Sequence, residues 1–323
     1  MVTFLVFPSQ NDKNCWVSAI CEISNLSVFY FQKYCIIIQN EVAMSLSKSF
    51  QSGLDFLKQS STGFKVLISL LFILFIWSVL IEPNCLIVKN ITIENKNLSG
   101  LKIAVAGDFH LKKHDEWRLK KAVKLLNQAD ADIILLVGDY VNGISRLQTL
   151  SFDKITANLS QLTAKNGVYA IIGNHDIWLD ENKVKNALID AKITVLDNEN
   201  KKININGKKY TLAGTNDFTE SKADLPKTLK NAENPIILMT HNPDIFELVP
   251  SNVDVTISGH THGGQVVLPF VGALVVPSAY GNRYASGLVV ENNRTVFITK
   301  GIGTSILPVR FNCLPEIVVI TFK

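Results

Sequence analysis

Apolar and polar positions fall into three regimes along the chain. Residues 1–43 mix short apolar runs with lone polar residues and keep neither a helical nor a strand period. Met44 opens a polar, weakly amphipathic stretch, Ser45 to Ser61, and an apolar run then extends from Val66 to Ile81, broken only by Ser69 and Ser78. As a helix this run spans about 24 Å, and Gly63, Phe64 and a snorkelling Lys65 lengthen it toward the ~30 Å of a hydrocarbon core. Trp77 suits the membrane interface. No small-x-small pattern follows Ile81, which favours an uncleaved anchor over a signal peptide or a buried helix. Lys58 and Lys65 on one side balance Lys89 and Lys96 on the other, and set no orientation.

After Glu82-Pro83 the pattern turns globular. Leu86–Val88 and Ile91–Ile93 read as edge strands, and Lys102–Ala106 as a short buried strand ending at Gly107-Asp108-Phe109-His110. A helix is expected from about Asp115 to Ala129, with Leu119, Ala122, Val123 and Leu126 on one face. The buried strand Ile133–Val137 ends at Gly138-Asp139. A second helix carries Phe152, Ile155, Leu159 and Leu162. The strand Val168–Ile172 ends at Gly173-Asn174-His175-Asp176, and a third helix, around Val184 to Ala191, precedes Thr194–Leu196. The second half adds strands at Lys209–Gly214, Pro235–Thr240, Val253–Ser258, Gly287–Val290, Val296–Thr299 and Ile317–Phe322. Two of these end in His241-Asn242-Pro243-Asp244 and in Gly259-His260-Thr261-His262. Strand–helix–strand units with polar residues at the strand C-termini place a ligand site along that edge.

Composition narrows the options. A chain of 323 residues with 47% hydrophobic content can bury a full core. The net charge of +4 is modest and spread out, so no nucleic-acid groove is expected. The five cysteines are irregularly spaced, three of them (Cys15, Cys21, Cys35) before Met44, and suggest neither a disulfide framework nor a Cys-x-x-Cys metal site.

The strand-end clusters hold five of the six histidines, with His114 left over. Alternate residues of an extended segment point the same way, so His260 and His262 can face one site. Singly, Asp108 and Asp139 read equally as turn or N-cap residues, Asn174 as an Asx-turn and His175 as a structural histidine. Jointly they offer carboxylate, amide oxygen and imidazole, a mixture suited to Mn²⁺, Fe²⁺ or Zn²⁺. An aspartate between two groups of ligands can bridge two ions ~3.5–4 Å apart.

These blocks resemble the calcineurin-like metallophosphoesterases, whose pattern is Asp-x-His, Gly-Asp, Gly-Asn-His-Asp/Glu, a lone His and Gly-His-x-His. All five occur in order from about residue 84 onward, with Gly107 where serine is more usual. The extended Gly259–Gln265 block, His241–Asp244 and the tail Gly301–Thr304, Arg310 and Pro315-Glu316 resemble the membrane-anchored bacterial branch. The resemblance implies an α/β (α+β) fold, a four-layer αββα sandwich of two mixed β-sheets, preceded by one transmembrane helix.

It further implies two divalent ions, Mn²⁺ first, with Fe²⁺, Zn²⁺ or Mg²⁺ as alternatives. One would be bound by Asp108, His110 and His262, the other by Asn174, His241 and His260, with Asp139 bridging. His175 would contact the substrate phosphate, with Asp176 orienting its ring, and a hydroxide between the ions would attack phosphorus. The substrate class is a phosphodiester or pyrophosphate, with a lipid-linked one such as UDP-2,3-diacylglucosamine, of lipid A biosynthesis, suiting a single-pass protein of a bacterial inner membrane. The competing reading is an inactive scaffold of this fold that binds protein partners; nothing in the sequence sets an oligomeric state. Arg310 reads as a structural salt bridge or a phosphate contact, and Asp217 as part of a site-edge loop. The expected organisation is an N-terminal extension, 1–62, an anchor, 63–82, and the phosphoesterase domain, 84–323. Residues 1–43 are expected to be dispensable, and the sequence leaves open whether Met1 or, with an over-extended reading frame, Met44 is the start.

Overall fold

The computed structural model describes residues 60–143 and 145–323, with positions 44, 45, 47–49, 51, 52 and 55. The expectations for residues 1–43 lie outside the described residues. The chain divides into two compact units, Met1–Phe72 and Ile73–Lys323. Helix α1, Thr62–Ile76, begins in the first unit. It runs on in wider, then tighter, helical turns, and over Thr62–Asn84 it is long and apolar enough to cross a membrane.

In the second unit the order is β1 (Ile87–Ile93), β2 (Lys102–Ala106), α2 (Glu116–Gln128), β3 (Ile133–Leu136), α3 (Phe152–Leu159), β4 (Val168–Ala170), α4 (Asn174–Asp190) and β5 (Thr194–Val195). Then follow β6 (Glu199–Ile205), β7 (Lys208–Gly214), α5 (Leu225–Thr228), β8 (Ile236–Met239), β9 (Val255–Ser258), β10 (Val267–Leu268), β11 (Gly272–Ala273), β12 (Gly287–Glu291), β13 (Arg294–Ile298) and β14 (Glu316–Phe322). One sheet has the order β1-β14-β2-β3-β4-β5 and the other β12-β13-β9-β8-β7-β6. Both are mixed: β2 to β5 run parallel with β14 antiparallel beside β2, and β7, β8, β9 and β13 run parallel between antiparallel β6 and β12.

Strand alternation sorts the side chains into layers. Ile103 and Val105 of β2 and Ile133 and Leu135 of β3 point between the sheets, where they meet Ile237 and Met239 of β8 and Ile257 of β9. Ala104, Ala106, Ile134 and Leu136 point the other way, onto Leu119 and Leu126 of α2, Ile155 of α3 and Val184 and Leu188 of α4. Ile236 and Leu238 face a thinner outer layer made by Phe246, Val249 and Tyr284. The fold is thus the expected sandwich of two mixed sheets, with short helical turns on its second outer face.

Three local differences have physical causes. The two expected edge strands are one, β1, because pairing with β14 carries through the polar Lys89-Asn90. Strand β6 was not expected from its sequence, Glu-Asn-Lys-Lys-Ile-Asn-Ile, since only Ile203 and Ile205 of it are buried; its antiparallel register with β7 supplies the order. Helix α4 starts at Asn174, well before Val184, and is interrupted at an extended Asp180. Its first turn buries polar site residues, so no apolar period marks it. Cys85 and Cys313 are free thiols.

Leu135→Ala, between the sheets, is expected to cost about 2–5 kcal/mol of stability, the range for an apolar truncation in a filled core. Denaturant unfolding of the solubilised chain checks this, and a loss below about 1 kcal/mol would mean the inter-sheet layer is not close-packed.

Candidate metal centre

The site forms where C-terminal strand ends of both sheets meet. Asp108 and His110 follow β2, Asp139 follows β3, and Asn174, His175 and Asp176 form the first turn of α4 after β4. His241 follows β8, and His260 and His262 follow β9. The structure brings all seven expected ligands together, buried except for a half-buried His260. His110 Nε2 and His262 Nε2 face each other at 2.9 Å, and Asp108 Oδ1 lies 3.6 Å from the latter. Asn174 Oδ1 is 3.2 Å from His241 Nε2 and 3.1 Å from His260 Nδ1. Between these halves stands Asp139, its Oδ2 3.5 Å from His110 Nε2 and 3.2 Å from His241 Nε2. Its other oxygen accepts from the His175 backbone N–H at 2.9 Å, at the start of α4, where helix amides favour an anion.

The donor set fits a divalent cation. His110 Nε2 and His262 Nε2, buried 2.9 Å apart, can share a proton or a cation, and the buried Nδ1 atoms of both rings have no hydrogen-bond partner among the described residues. Three groups, Asp108-His110-His262, His110-Asp139-His175 and Asp108-Asp139-His241, each bring ligand atoms within 4.8 Å of one another. His241 Nδ1–H donates to Val137 O at 2.7 Å, which fixes the ring and turns Nε2 inward.

The local backbone is costly. Asp108, His110, Asp139, His260 and His262 have φ of 51°, 44°, 56°, 73° and 53°, in the left-handed region that L-residues avoid. Glycines make the approach possible. At Gly138 (φ 91°) a Cβ would lie 2.7 Å from Gly173 N and 2.9 Å from His241 Nδ1, and at Gly301 (φ 69°) 2.5 Å from Asp108 Cβ.

Two sequence expectations about roles are corrected. The His175 ring is not held by Asp176. Its Nδ1–H donates to the Asn142 carbonyl at 2.7 Å, a main-chain partner that no sequence pattern marks. Asp176 instead accepts from the backbone N–H groups of Asp139, Tyr140, Val141 and Gly173 at 2.8–3.2 Å, so it positions the loop that carries Asp139. Arg310 forms no salt bridge among the described residues. Fully buried, it donates to the carbonyls of Lys300, Gly301, Gly303 and Cys313, and so holds the loop packed against Asp108. Asp217 is buried at the site's edge, where Oδ1 accepts from Glu220 N and Oδ2 has no hydrogen-bond partner among the described residues.

Electrostatics set the proton inventory. Burial pushes the Asp108 carboxyl up to about 7, against the pull of His241. Burial also holds His110 and His260 down at about 3, and His262 well below the ordinary histidine value. For His241 burial is outweighed by Asp139 and Asp108, which raise it well above that value. Asp139, despite its burial, is held below the usual carboxylate range by His241 and His110. Above the cluster lies a cavity of about 400 Å³, with Asp139, Asn174, His175, His260 and His262 on its polar side and Leu274, Val275, Leu307 and Val309 among its apolar lining. Trp178 packs against His175 at a tilt of 45°, with ring centroids 4.4 Å apart, and Ser305 Oγ is 3.4 Å from His175 Nε2. Gln265 holds the Ser305 main chain from both sides, at 3.0 and 2.8 Å.

Residues 101–264 match the family profile described as calcineurin-like phosphoesterase. The chain is 30% identical over 253 residues to the uncharacterized metallophosphoesterase YkuE of Bacillus subtilis (strain 168), covering 75% of this chain and 87% of that one. It is 31% identical over 226 residues to the phosphodiesterase YaeI of Escherichia coli (strain K12), covering 68% and 82%. A transmembrane protein with metallophosphoesterase domain from Bos taurus is 26% identical over 245 residues, 68% of this chain and 52% of the bovine one. Family and buried donor clusters together support binding of divalent metal.

A protonated Asp108 or His241 cannot serve as a ligand, so metal binding must displace protons. Lowering the pH through about 7 adds protons to Asp108, and the apparent metal affinity is expected to fall at least about tenfold per pH unit. Calorimetric Mn²⁺ titrations at about pH 5.5, 6.5 and 7.5, in buffers of different ionisation enthalpy, measure both affinity and proton release. A flat affinity with no proton release would contradict this inventory.

Proposed function

The chain belongs to the calcineurin-like phosphoesterase family and is a metal-dependent phosphoester hydrolase, and we propose that it is anchored in a membrane and cleaves a phosphodiester or pyrophosphate bond with two divalent ions, Mn²⁺ first. In this reading Asp108, His110 and His262 hold one ion, Asn174, His241 and His260 the other, and Asp139 contributes to both. The observation that carries it is the place of Asp139 Oδ2, within 3.5 Å of His110 on one side and 3.2 Å of His241 on the other. When bound, the ions supply positive charge that lowers the pKa of water and offsets charge on phosphoryl oxygens.

The chain's own residues do the rest. Because Asn142 takes the Nδ1 proton of His175, Nε2 is the atom left to hold or deliver a proton, and it faces the cavity beside Ser305 Oγ. His175 can thus accept a proton at Nε2 and, as the imidazolium, donate it to a phosphate oxygen or to the leaving group. Trp178 covers one side of its ring, and Leu274, Val275, Leu307 and Val309 give the cavity an apolar wall opposite the polar cluster. A lipid-linked substrate is supported by the apolar helix Thr62–Asn84 and by that wall.

Metal-free chain supplied separately with Mn²⁺, Fe²⁺, Zn²⁺ or Mg²⁺ is expected to hydrolyse a generic aryl phosphodiester. UDP-2,3-diacylglucosamine and simple monoesters, run beside it, rank the substrate classes. No turnover with any metal would favour the inactive scaffold. Asp139→Asn is expected to abolish activity and weaken metal binding. His175→Asn is expected to keep its metal and lose about 10²–10⁴-fold in rate. Metal analysis and rates on both purified variants check this, and a metal-free His175→Asn would mean that this imidazole is a ligand.

A further inference from the structure

Two loops on the apolar side of the cavity, the β10–β11 hairpin and the stretch 305–309, turn large apolar side chains to solvent. Phe270 at the hairpin tip is 109% exposed and Ile306 is 81% exposed, and Val271, Leu274, Val275 and Leu307 are exposed beside them. Both tips are also strained, with φ of 67° at Phe270 and 57° at Ile306. A β-branched residue in that region is an outlier, and turn tips ordinarily carry Gly, Asn or Asp. A bare apolar side chain on a strained backbone does nothing for folding in water, so the pattern points to a surface that is covered in use.

What covers it follows from what these loops are bonded to. The Arg310 N–H donates to Ser78 O at 2.9 Å, and the Cys313 N–H donates to the buried Glu82 carboxylate, which also accepts from Trp77 Nε1 at 2.7 Å. The same segment joins the hairpin: Phe311 N donates to Gln265 O at 2.8 Å, and Val267 N to Phe311 O at 2.9 Å. Pro269, adjacent to Phe270, lines one groove with Trp77 and Phe311. Trp77, Leu80 and Ile81, the last turns of the apolar helix, are themselves exposed. The bare loops are thus bonded, within one compact unit, to the bare end of the one helix apolar enough to cross a bilayer among the described residues.

We propose that this rim is a second membrane contact: Phe270 and Ile306 enter the acyl region of the lipid leaflet beside the helix end, so that the cavity opens at the bilayer. The substrate class is then a membrane lipid carrying a phosphoester or pyrophosphate, with its acyl portion against Leu274, Val275 and Leu307 and its phosphorus at the metal centre. This rests on the anchored hydrolase reading above.

The test uses the full chain in phosphatidylethanolamine–phosphatidylglycerol vesicles. Phe270→Trp adds emission that is expected to be quenched by lipids brominated along their acyl chains and protected from aqueous acrylamide. Absence of bromolipid quenching overturns the proposal, whether the tip lies in water or under a second copy of the chain. Alkaline carbonate extraction of the same vesicles tests the anchor separately. A chain that stays with the membrane but is unquenched removes the rim contact alone, while a chain that is released but was quenched removes the anchor alone. Phe270→Glu, outside the cavity lining, is expected to slow hydrolysis of a long-chain phospholipid in vesicles about tenfold or more. Its rate on the soluble aryl phosphodiester should be unchanged, and an equal loss on both substrates would also overturn the proposal.

Discussion

The Asp139 carboxylate is shared three ways, and the surrounding structure is arranged to keep it so. One oxygen rests on the amide of His175 at the start of α4, and the other stands between His110 from one sheet and His241 from the other. A buried charge is tolerated only when paired and hydrogen-bonded. Here His241 is the paired group, raised well above the ordinary histidine value by Asp139 and Asp108. The arrangement that suits a proton also suits a metal ion, which would offer more charge to the same oxygens. Folding and cation binding therefore draw on one set of atoms.

Around that carboxylate, support comes from groups bonded to main chain. Asp176 gathers four backbone N–H groups and sets the Asp139 loop, while Arg310 gathers carbonyls and sets the loop against Asp108. Each satisfies main-chain atoms that the left-handed turns remove from ordinary pairing. Cys313 extends the support: its thiol reaches the His262 carbonyl at 3.2 Å, and its N–H reaches Glu82 at the end of the apolar helix. A continuous set of contacts thus runs from that helix end to a proposed ligand.

The sequence exposed the parts of this site that are side chains and concealed the parts that are main chain. Asp108, His110, Asp139, Asn174, His241, His260 and His262 could be read as a set because chemistry restricts the residue types and strand ends restrict their places. The partner of His175 could not, because any residue at position 142 offers the same carbonyl oxygen. The family resemblance implies that Asp176 orients the His175 ring, whereas the turn geometry gives its carboxylate four backbone amide donors instead. Arg310 suggested a charge partner, and burial among carbonyls decided otherwise. In the fold, buried strands were legible from unbroken apolar runs. Strand β6 was not, since its order comes from pairing with β7 rather than from its own pattern. The apolar tips Phe270 and Ile306 stood in the sequence as ordinary hydrophobic residues, and only their exposure and backbone angles single them out.

The central claim is that one buried cluster holds two ions about the Asp139 carboxylate. Anomalous diffraction from crystals loaded with Mn²⁺ tests it most directly. The account predicts two peaks ~3.5–4 Å apart, one among Asp108, His110 and His262 and one among Asn174, His241 and His260, with Asp139 touching both. A single peak, or ions bound away from Asp139, would contradict it.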